Sequence, residues 1–193
     1  MSPGRFDHFD WIAPVYDKIF GNRAAPSAWA SLLELPVAGR LLDAGGGTGR
    51  ISAGLRGLVD QIILIDPSWG MVRQAARKAG LGQVCGEAEF LPFPAGMFTR
   101  IIMVDAFHHV DDQKRVIQEL GRVLAVKGRM VIEEPDLHHV LVKIVALGER
   151  LLGMRSRFRY PEEIASMLKE QGMTVHVINH GAVAEIVAEK DGR

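Results

Sequence analysis

The stretch Leu41-Leu42-Asp43-Ala44-Gly45-Gly46-Gly47-Thr48-Gly49-Arg50 ends an apolar run on an acid and then places glycine at alternate positions. It reads as a strand running into a tight turn and then a helix. A backbone that must lie against a ligand has no room for a Cβ, and glycine also tolerates the positive φ angles of such a turn. The chemistry implied is capture of a nucleotide-like cofactor. A dinucleotide fingerprint requires G-x-G-x-x-G. Counted from Gly45, its third glycine would fall at position 50, which is Arg50. The plain structural alternative is a glycine turn that merely closes a βα unit.

Other chemistry-bearing residues also stand at the ends of apolar runs. Asp66 closes Gln61–Asp66 (Q-I-I-L-I-D), about twenty residues after the glycines, where a carboxylate can accept both hydroxyls of a ribose. The same acid, before Pro67-Ser68, can instead cap the next helix. Gly86-Glu87-Ala88-Glu89-Phe90-Leu91-Pro92-Phe93-Pro94 follows a third run and Asp105-Ala106-Phe107-His108-His109-Val110 a fourth. Glu133-Glu134-Pro135-Asp136 leads to His138-His139 after a fifth. Neither H-x-x-x-H nor E-x-x-H helical spacing occurs among these, so no metal site is expected.

The acid-x-G-x-G-x-G pattern from Asp43 to Gly49 resembles the first motif of the class I S-adenosylmethionine-dependent methyltransferases. Glycine-acid-alanine followed by Leu91-Pro92-Phe93 is similar to the G-D-A-x-x-L-P-F stretch of the group that includes the ubiquinone and menaquinone C-methyltransferases. Gly121-Arg122-Val123-Leu124 and Gly128-Arg129-Met130 echo its R-V-L-x-P-G-G-x segment, although Ala125-Val126-Lys127 replaces the proline and Thr99-Arg100 a common aspartate. Phe9, Ala13, Tyr16 and Asp17 match an F-x-x-x-A-x-x-Y-D pattern ahead of the sheet. The resemblance implies S-adenosylmethionine as cofactor. It implies contacts from Asp43, Ala44, Gly45, Gly47, Asp66, Pro67 and Met71, with Glu87 and Ala88 at the adenine. Asp105 and Tyr16 would lie near the methionine end.

Methyl transfer from a sulfonium mainly needs alignment and exclusion of water, and a base only when the acceptor must lose a proton. His108 and His109 are the candidates, since imidazole titrates near neutrality. His108 is expected to line the acceptor pocket and His109 to pack inward; a purely structural role for both remains open. Glu133 or His139 is expected beside the acceptor.

The elements that must position these residues alternate as βα units. Strands are expected at Leu41–Ala44, Gln61–Asp66, Gln83–Cys85, Arg100–Val104 and Arg129–Ile132. Arg50–Leu58 reads as a helix with Ile51, Leu55 and Leu58 on one face. Ser68 can cap a helix carrying Met71, Val72, Ala75, Ala76 and Ala79 inward, and Asp111 or Asp112 one with Val116, Ile117, Leu120, Val123 and Leu124. Pro161 opens a helix over 162–171, ended by Gly172. Val175–Ile178 and Val183–Ala188 flank Asn179-His180-Gly181, a hairpin signal. The expected fold is α/β: a doubly wound, mostly parallel seven-stranded sheet with an antiparallel terminal hairpin.

Val140–Met154 is expected to be a helix with more apolar surface than one sheet face needs. It can lid an apolar acceptor, touch a membrane surface or form a homodimer contact. Arg155, Arg157 and Arg159 beside it can meet an anion or simply line a solvated turn.

The 193 residues suit a single domain, with residues 1–38 as a helical cover, 39–193 as the cofactor-binding sheet and a short lid around 138–160. Lys plus Arg and Asp plus Glu each number 23, so no basic excess points to nucleic acid. One cysteine excludes internal disulfides and thiolate zinc clusters. No secretory signal and no membrane-spanning run is visible, which makes a cytoplasmic protein the expectation. The reading is methyl transfer from S-adenosylmethionine to a small-molecule acceptor. The alternatives are a cofactor-binding regulatory subunit of the same fold and, less consistent with Arg50 and the hairpin, a nicotinamide oxidoreductase.

Overall fold

A computed structural model describes residues 26–151 and 156–192. Tyr16, with Phe9, Ala13 and Asp17, lies outside the described residues, as does Arg155. Seven strands form one sheet: β1 (Arg40–Ala44), β2 (Gln61–Asp66), β3 (Leu81–Cys85), β4 (Phe98–Val104), β5 (Leu124–Pro135), β6 (Met173–His180) and β7 (Val183–Lys190). Their order is β3-β2-β1-β4-β5-β7-β6. The first five pair in parallel, and β7 runs antiparallel to both β5 and β6. The strand order reverses between β1 and β4, which opens a crevice beyond their carboxyl ends.

The helices are α1 (Pro26–Leu32), α2 (Trp69–Ala75), α3 (Gln113–Val123), α4 (Val140–Leu151) and α5 (Pro161–Lys169). Paired apolar residues along the central strands divide between the faces, because successive side chains point to opposite sides. Leu42, Ile63, Ile101 and Met130 meet α3 and α5 through Val116, Ile117, Leu120, Ile164 and Leu168. Leu41, Ile62, Ile102 and Val131 meet Trp29, Leu33 and Leu55 on the other face. Arg100 and Arg129 donate to the carbonyls of Leu33 and Leu32 at 2.5 and 2.9 Å, which fastens the end of α1 near the start of β4.

Two helix expectations are corrected. In place of a helix over 50–58 the chain makes a single 3-10 turn, Ser52–Leu55. Gly54 and Gly57, with Ser52, give too little helix propensity to extend it. Leu55 is still fully buried. α2 ends at Ala75, so Ala76 and Ala79 are exposed rather than inward. Ser68 does cap α2, accepting from the Met71 N–H at 3.1 Å, and Asp112 rather than Asp111 caps α3 through the Arg115 N–H at 3.0 Å. β5 is much longer than Arg129–Ile132 because β7 pairs with it from Arg129 to Pro135 and its front end continues from α3. β6 and β7 extend to a two-residue Gly181-Ala182 turn, in which Gly181 takes φ 66°.

Candidate cofactor and acceptor site

The glycine turn leaves β1 at the crevice. The N–H groups of Gly45 and Gly46 both donate to the Ile65 carbonyl of β2, at 2.8 and 3.2 Å. Gly47 donates to Asp66 Oδ2 at 2.8 Å, while Asp66 Oδ1 accepts from Ser68 at 2.9 Å. The Asp66 carbonyl accepts from Gly86 at 3.0 Å. One acid therefore ties together the turn, the start of α2 and the loop after β3. Both readings of Asp66 meet in this geometry, since a carboxylate whose oxygens each accept one N–H retains further lone pairs.

The glycines are needed for different reasons. Gly45, at φ 68°, would place a Cβ 2.7 Å from the Ala106 Cβ, so its bareness lets the β4 loop close on the turn. A Cβ on Gly46 would strike the Asp43 carboxylate at 2.5 Å. At Gly47, φ 55°, the nearest atom to such a Cβ among the described residues is Met71 Sδ at 3.9 Å. None of their side chains demands that this position be bare. Among the described residues the bend is open on that side, as a cradle for a ligand requires.

Asp43 lies beneath the turn, 1% exposed, and its Oδ2 has no hydrogen-bond partner among the described residues. Burial pushes its carboxyl up to about 7, and the Asp66 carboxylate adds to the rise, while Ser52 and Arg50 pull the other way. A buried acid oxygen without a donor is costly, and a cationic amino group at the turn would satisfy it. The orphaned oxygen and the open face at Gly47 fit a cofactor of the S-adenosylmethionine type.

The remaining cofactor candidates fall on the same edge. Met71 is buried beside Gly47 and Pro67 is exposed at the head of α2. Glu87 is exposed after β3, and Ala88 is buried against the core at the start of a 3-10 turn. That loop is held from below: Arg122 donates to the Leu91 and Phe93 carbonyls at 2.9 and 2.7 Å and is itself paired with Glu119 at 2.7 Å. Glu119 also accepts from the Leu91 N–H at 3.0 Å. Arg122 and the loss of water hold the Glu119 carboxyl in opposition, and the arginine prevails, lowering it. Asp105 follows β4 at φ 54°, in the left-handed region that a non-glycine residue rarely adopts. Its N–H donates to the Glu133 carbonyl at 2.9 Å. Such strain concentrates where a loop is shaped for function.

Of the histidine pair it is His108, not the expected His109, that is the more deeply buried. His108 is the buried member, 3% exposed, and His109 is only half-buried. The reason is Glu134. Its Oε2 lies 2.6 Å from His108 Nδ1 and its Oε1 accepts the Phe107 N–H at 2.8 Å. The buried acid and the imidazole satisfy each other, which makes inward placement of His108 favourable. Burial works against a charged His108, but the Glu134 carboxylate, with Asp105 and Glu149, outweighs it and raises the pKa. His109 is pushed down to about 4 by burial and by His108 next to it.

Phe158 stacks on His108 with centroids 4.4 Å apart and planes at 15°. Its neighbours fix the segment: Arg157 N–H donates to the His108 carbonyl at 2.7 Å, and the buried Gln113 donates to the Phe107 and Arg157 carbonyls at 3.1 and 2.7 Å. Arg157 and Arg159 each place a guanidinium donor, on the Asp111 carbonyl and on Gln113 Oε1, which staples this segment to the β4 loop. Glu134, Gln113 and Phe158 escaped sequence reasoning. Two successive acids closing an apolar strand were the available signal, because buried carboxylates demand partners. His138 bonds Asp136 at 2.8 Å and leans on Tyr160, with centroids 4.9 Å apart.

On α4, Val142 is buried, whereas Val140, Leu141, Ile144, Val145 and Leu147 are all more than half exposed. No helix among the described residues is long and apolar enough to cross a membrane.

A family model described as a methyltransferase domain matches residues 42–132, from the glycine turn through β5. The chain is 29% identical over 161 residues to a demethylmenaquinone methyltransferase of Thermotoga maritima, covering 70% of each. It is 36% identical over 94 residues to 2-methyl-6-phytyl-1,4-hydroquinone methyltransferase 2 of Oryza sativa subsp. japonica, which is 46% of this chain and 27% of that one. The match thus spans most of the bacterial relative and about a quarter of the plant one. A solved SAM-dependent methyltransferase from Thermotoga maritima superposes with a TM-score of 0.78 over 95% of this chain and 98% of its own, at 24% identity. That domain match over the glycine turn and four further strands, the quinone-type methyltransferase relatives and the shared sheet support a class I S-adenosylmethionine-dependent methyltransferase.

Proposed function

We propose that this enzyme transfers a methyl group from S-adenosylmethionine to a small-molecule acceptor with a substantial apolar part. The observation that carries the reading is the bond from Gly47 to Asp66, which holds an open glycine cradle and a carboxylate side by side at the switch point. When bound, S-adenosylmethionine supplies a methyl on a positively charged sulfur, so the protein's work is alignment and exclusion of water.

In this reading Asp66 takes the ribose hydroxyls with the lone pairs left by Gly47 and Ser68. Glu87 and the Ala88 N–H take the adenine, with Pro67 and Met71 against the ring. Asp43, Ala44, Gly45 and Gly47 hold the amino-acid end, with Asp105 and Tyr16 closing on it. His108 and His109 stand on the acceptor side. The exposed apolar row of α4, together with residues 156–160, lids the acceptor. The names of the two relatives favour a ring with an apolar tail as acceptor. A single domain working in the cytoplasm completes the proposal.

Isothermal titration with S-adenosylhomocysteine tests it, and a folded sample that takes up no ligand refutes it. Transfer of radiolabelled methyl from S-adenosylmethionine to a panel of small aromatic acceptors tests turnover. Binding without transfer across a broad panel would favour the regulatory-subunit alternative.

A further inference from the structure

Glu134 belongs to no glycine, ribose or adenine contact, yet it is among the most constrained side chains in the molecule. It is 4% exposed and both of its oxygens lie in short hydrogen bonds, Oε1 accepting the Phe107 N–H at 2.8 Å and Oε2 standing 2.6 Å from His108 Nδ1. The backbone bond fixes the carboxylate, and the carboxylate in turn fixes the ring. Phe158 stacks on the ring's face. The Gln113 side chain on the Phe107 carbonyl and the Arg157 N–H on the His108 carbonyl bracket the residue in the chain. Few imidazoles need this much support to fill space.

A hydrogen bond to an acceptor-only group dictates where the imidazole proton sits. Glu134 can only accept, so the hydrogen of a neutral His108 must be on Nδ1. Nε2 then carries the lone pair. Among the described residues, the only hydrogen bond of this ring is the one at Nδ1. The Nδ1 of His109 lies 3.4 Å from the Ser156 hydroxyl.

We infer that Glu134 is a positioning residue that holds His108 as the Nδ1–H tautomer, so that His108 Nε2 takes a proton from the methyl acceptor. The inference rests on the methyl-transfer reading and deepens it by naming the acceptor class. The acceptor carries its proton on the atom that receives the methyl: a hydroxyl, an N–H or an activated ring C–H, not a thioether or a tertiary amine. The balance is simple. The acceptor's electron pair forms the bond to the methyl carbon, the carbon–sulfur pair departs with sulfur, and the acceptor's proton moves to Nε2. Besides Glu134, the charged or titratable groups among the described residues that act on His108 are His109, Asp105 and Glu149. Glu134 is set apart from them by its hydrogen bond to the ring; His109 only packs on it, with centroids 3.9 Å apart.

The test is nitrogen-detected NMR of the imidazole rings of the full chain, with His108→Asn used to assign its signals. Above its titration midpoint, wild-type His108 is expected as Nδ1–H with a bare Nε2. In Glu134→Gln that preference is expected to disappear and the midpoint to fall by about one pH unit. A wild-type His108 with its hydrogen on Nε2, or an unmoved midpoint in Glu134→Gln, overturns the inference. Should Glu134→Gln fail to fold, the wild-type tautomer alone decides. A second arm offers labelled S-adenosylmethionine with phenols and hydroquinones beside thioethers and tertiary amines; label on the latter pair overturns the acceptor class. S-adenosylhomocysteine titration runs in parallel. Its failure with the tautomer intact would remove the methyl-transfer reading and leave the Glu134–His108 arrangement standing.

Discussion

Asp66 Oδ2 accepts the Gly47 N–H at 2.8 Å, so the carboxylate that closes β2 holds the glycine turn that leaves β1. Its other oxygen holds the Ser68 N–H at the head of α2. The residue proposed to take the ribose is thus also the strut that shapes the glycine turn.

Asp66→Ala is therefore expected to cost both. Two backbone N–H groups lose their acceptor, a loss of about 1–3 kcal/mol in stability. S-adenosylhomocysteine affinity should fall by about a hundredfold, as for loss of two hydrogen bonds to a ligand. Asp66→Asn, which can still accept at one oxygen, should recover most of the stability and little of the affinity. Thermal unfolding and isothermal titration on the same samples separate the two effects.

Gly45→Ala and Gly47→Ala should fail in different ways. At Gly45 the new methyl meets Ala106 at 2.7 Å, so the β4 loop must move and stability drops. At Gly47 the methyl meets, among the described residues, only Met71 Sδ at 3.9 Å, and the cost to the fold is the backbone strain of about 1–2 kcal/mol. Cofactor binding should nevertheless be lost at Gly47, because the methyl occupies the open face. Equal loss of affinity and stability at both positions would contradict the cradle.

Asp43 predicts a pH dependence. Its folded pKa of about 7 is above the unfolded value of 3.8, so the folded state holds the extra proton between them. Stability from this group is greatest at low pH and declines by about 1.4 kcal/mol per pH unit until its carboxyl is ionised. Asp43→Asn should therefore raise the unfolding midpoint at pH 8, and the gain should shrink towards pH 4. It should weaken S-adenosylhomocysteine at the same time. Denaturation curves of both proteins across that range check the sign.

Arg122→Ala removes the donors to the Leu91 and Phe93 carbonyls and strands Glu119. A loss of about 1–3 kcal/mol is expected, with faster hydrogen exchange at residues 88–93. Glu119→Gln should do less harm, since the amide oxygen can still accept from the Leu91 N–H.

The strands, the glycine turn, Ser68 as a cap and the terminal hairpin were legible in the chain because each is a local decision. Two-residue alternation, a β-branched run or a glycine at φ above zero is settled within a few residues. The 3-10 turn at Ser52–Leu55 misled for the opposite reason. Its apolar spacing is helical, but Gly54 and Gly57 make the local energetics too weak.

Burial of His108 rather than His109 was decided elsewhere, by an acid 26 residues away on β5. So were the anchoring of Arg157 and Arg159 on the β4 loop and the support of the Leu91–Phe93 loop by Arg122. Each depends on partners that only the order β1-β4-β5 and the return of residues 156–160 bring within reach. The amino-acid order by itself determined the sheet and the glycine turn, since spacing along the chain carries that information. Which imidazole faces inward, and with which proton, was left to tertiary packing, because a buried donor or acceptor takes its orientation from whichever partner the fold presents.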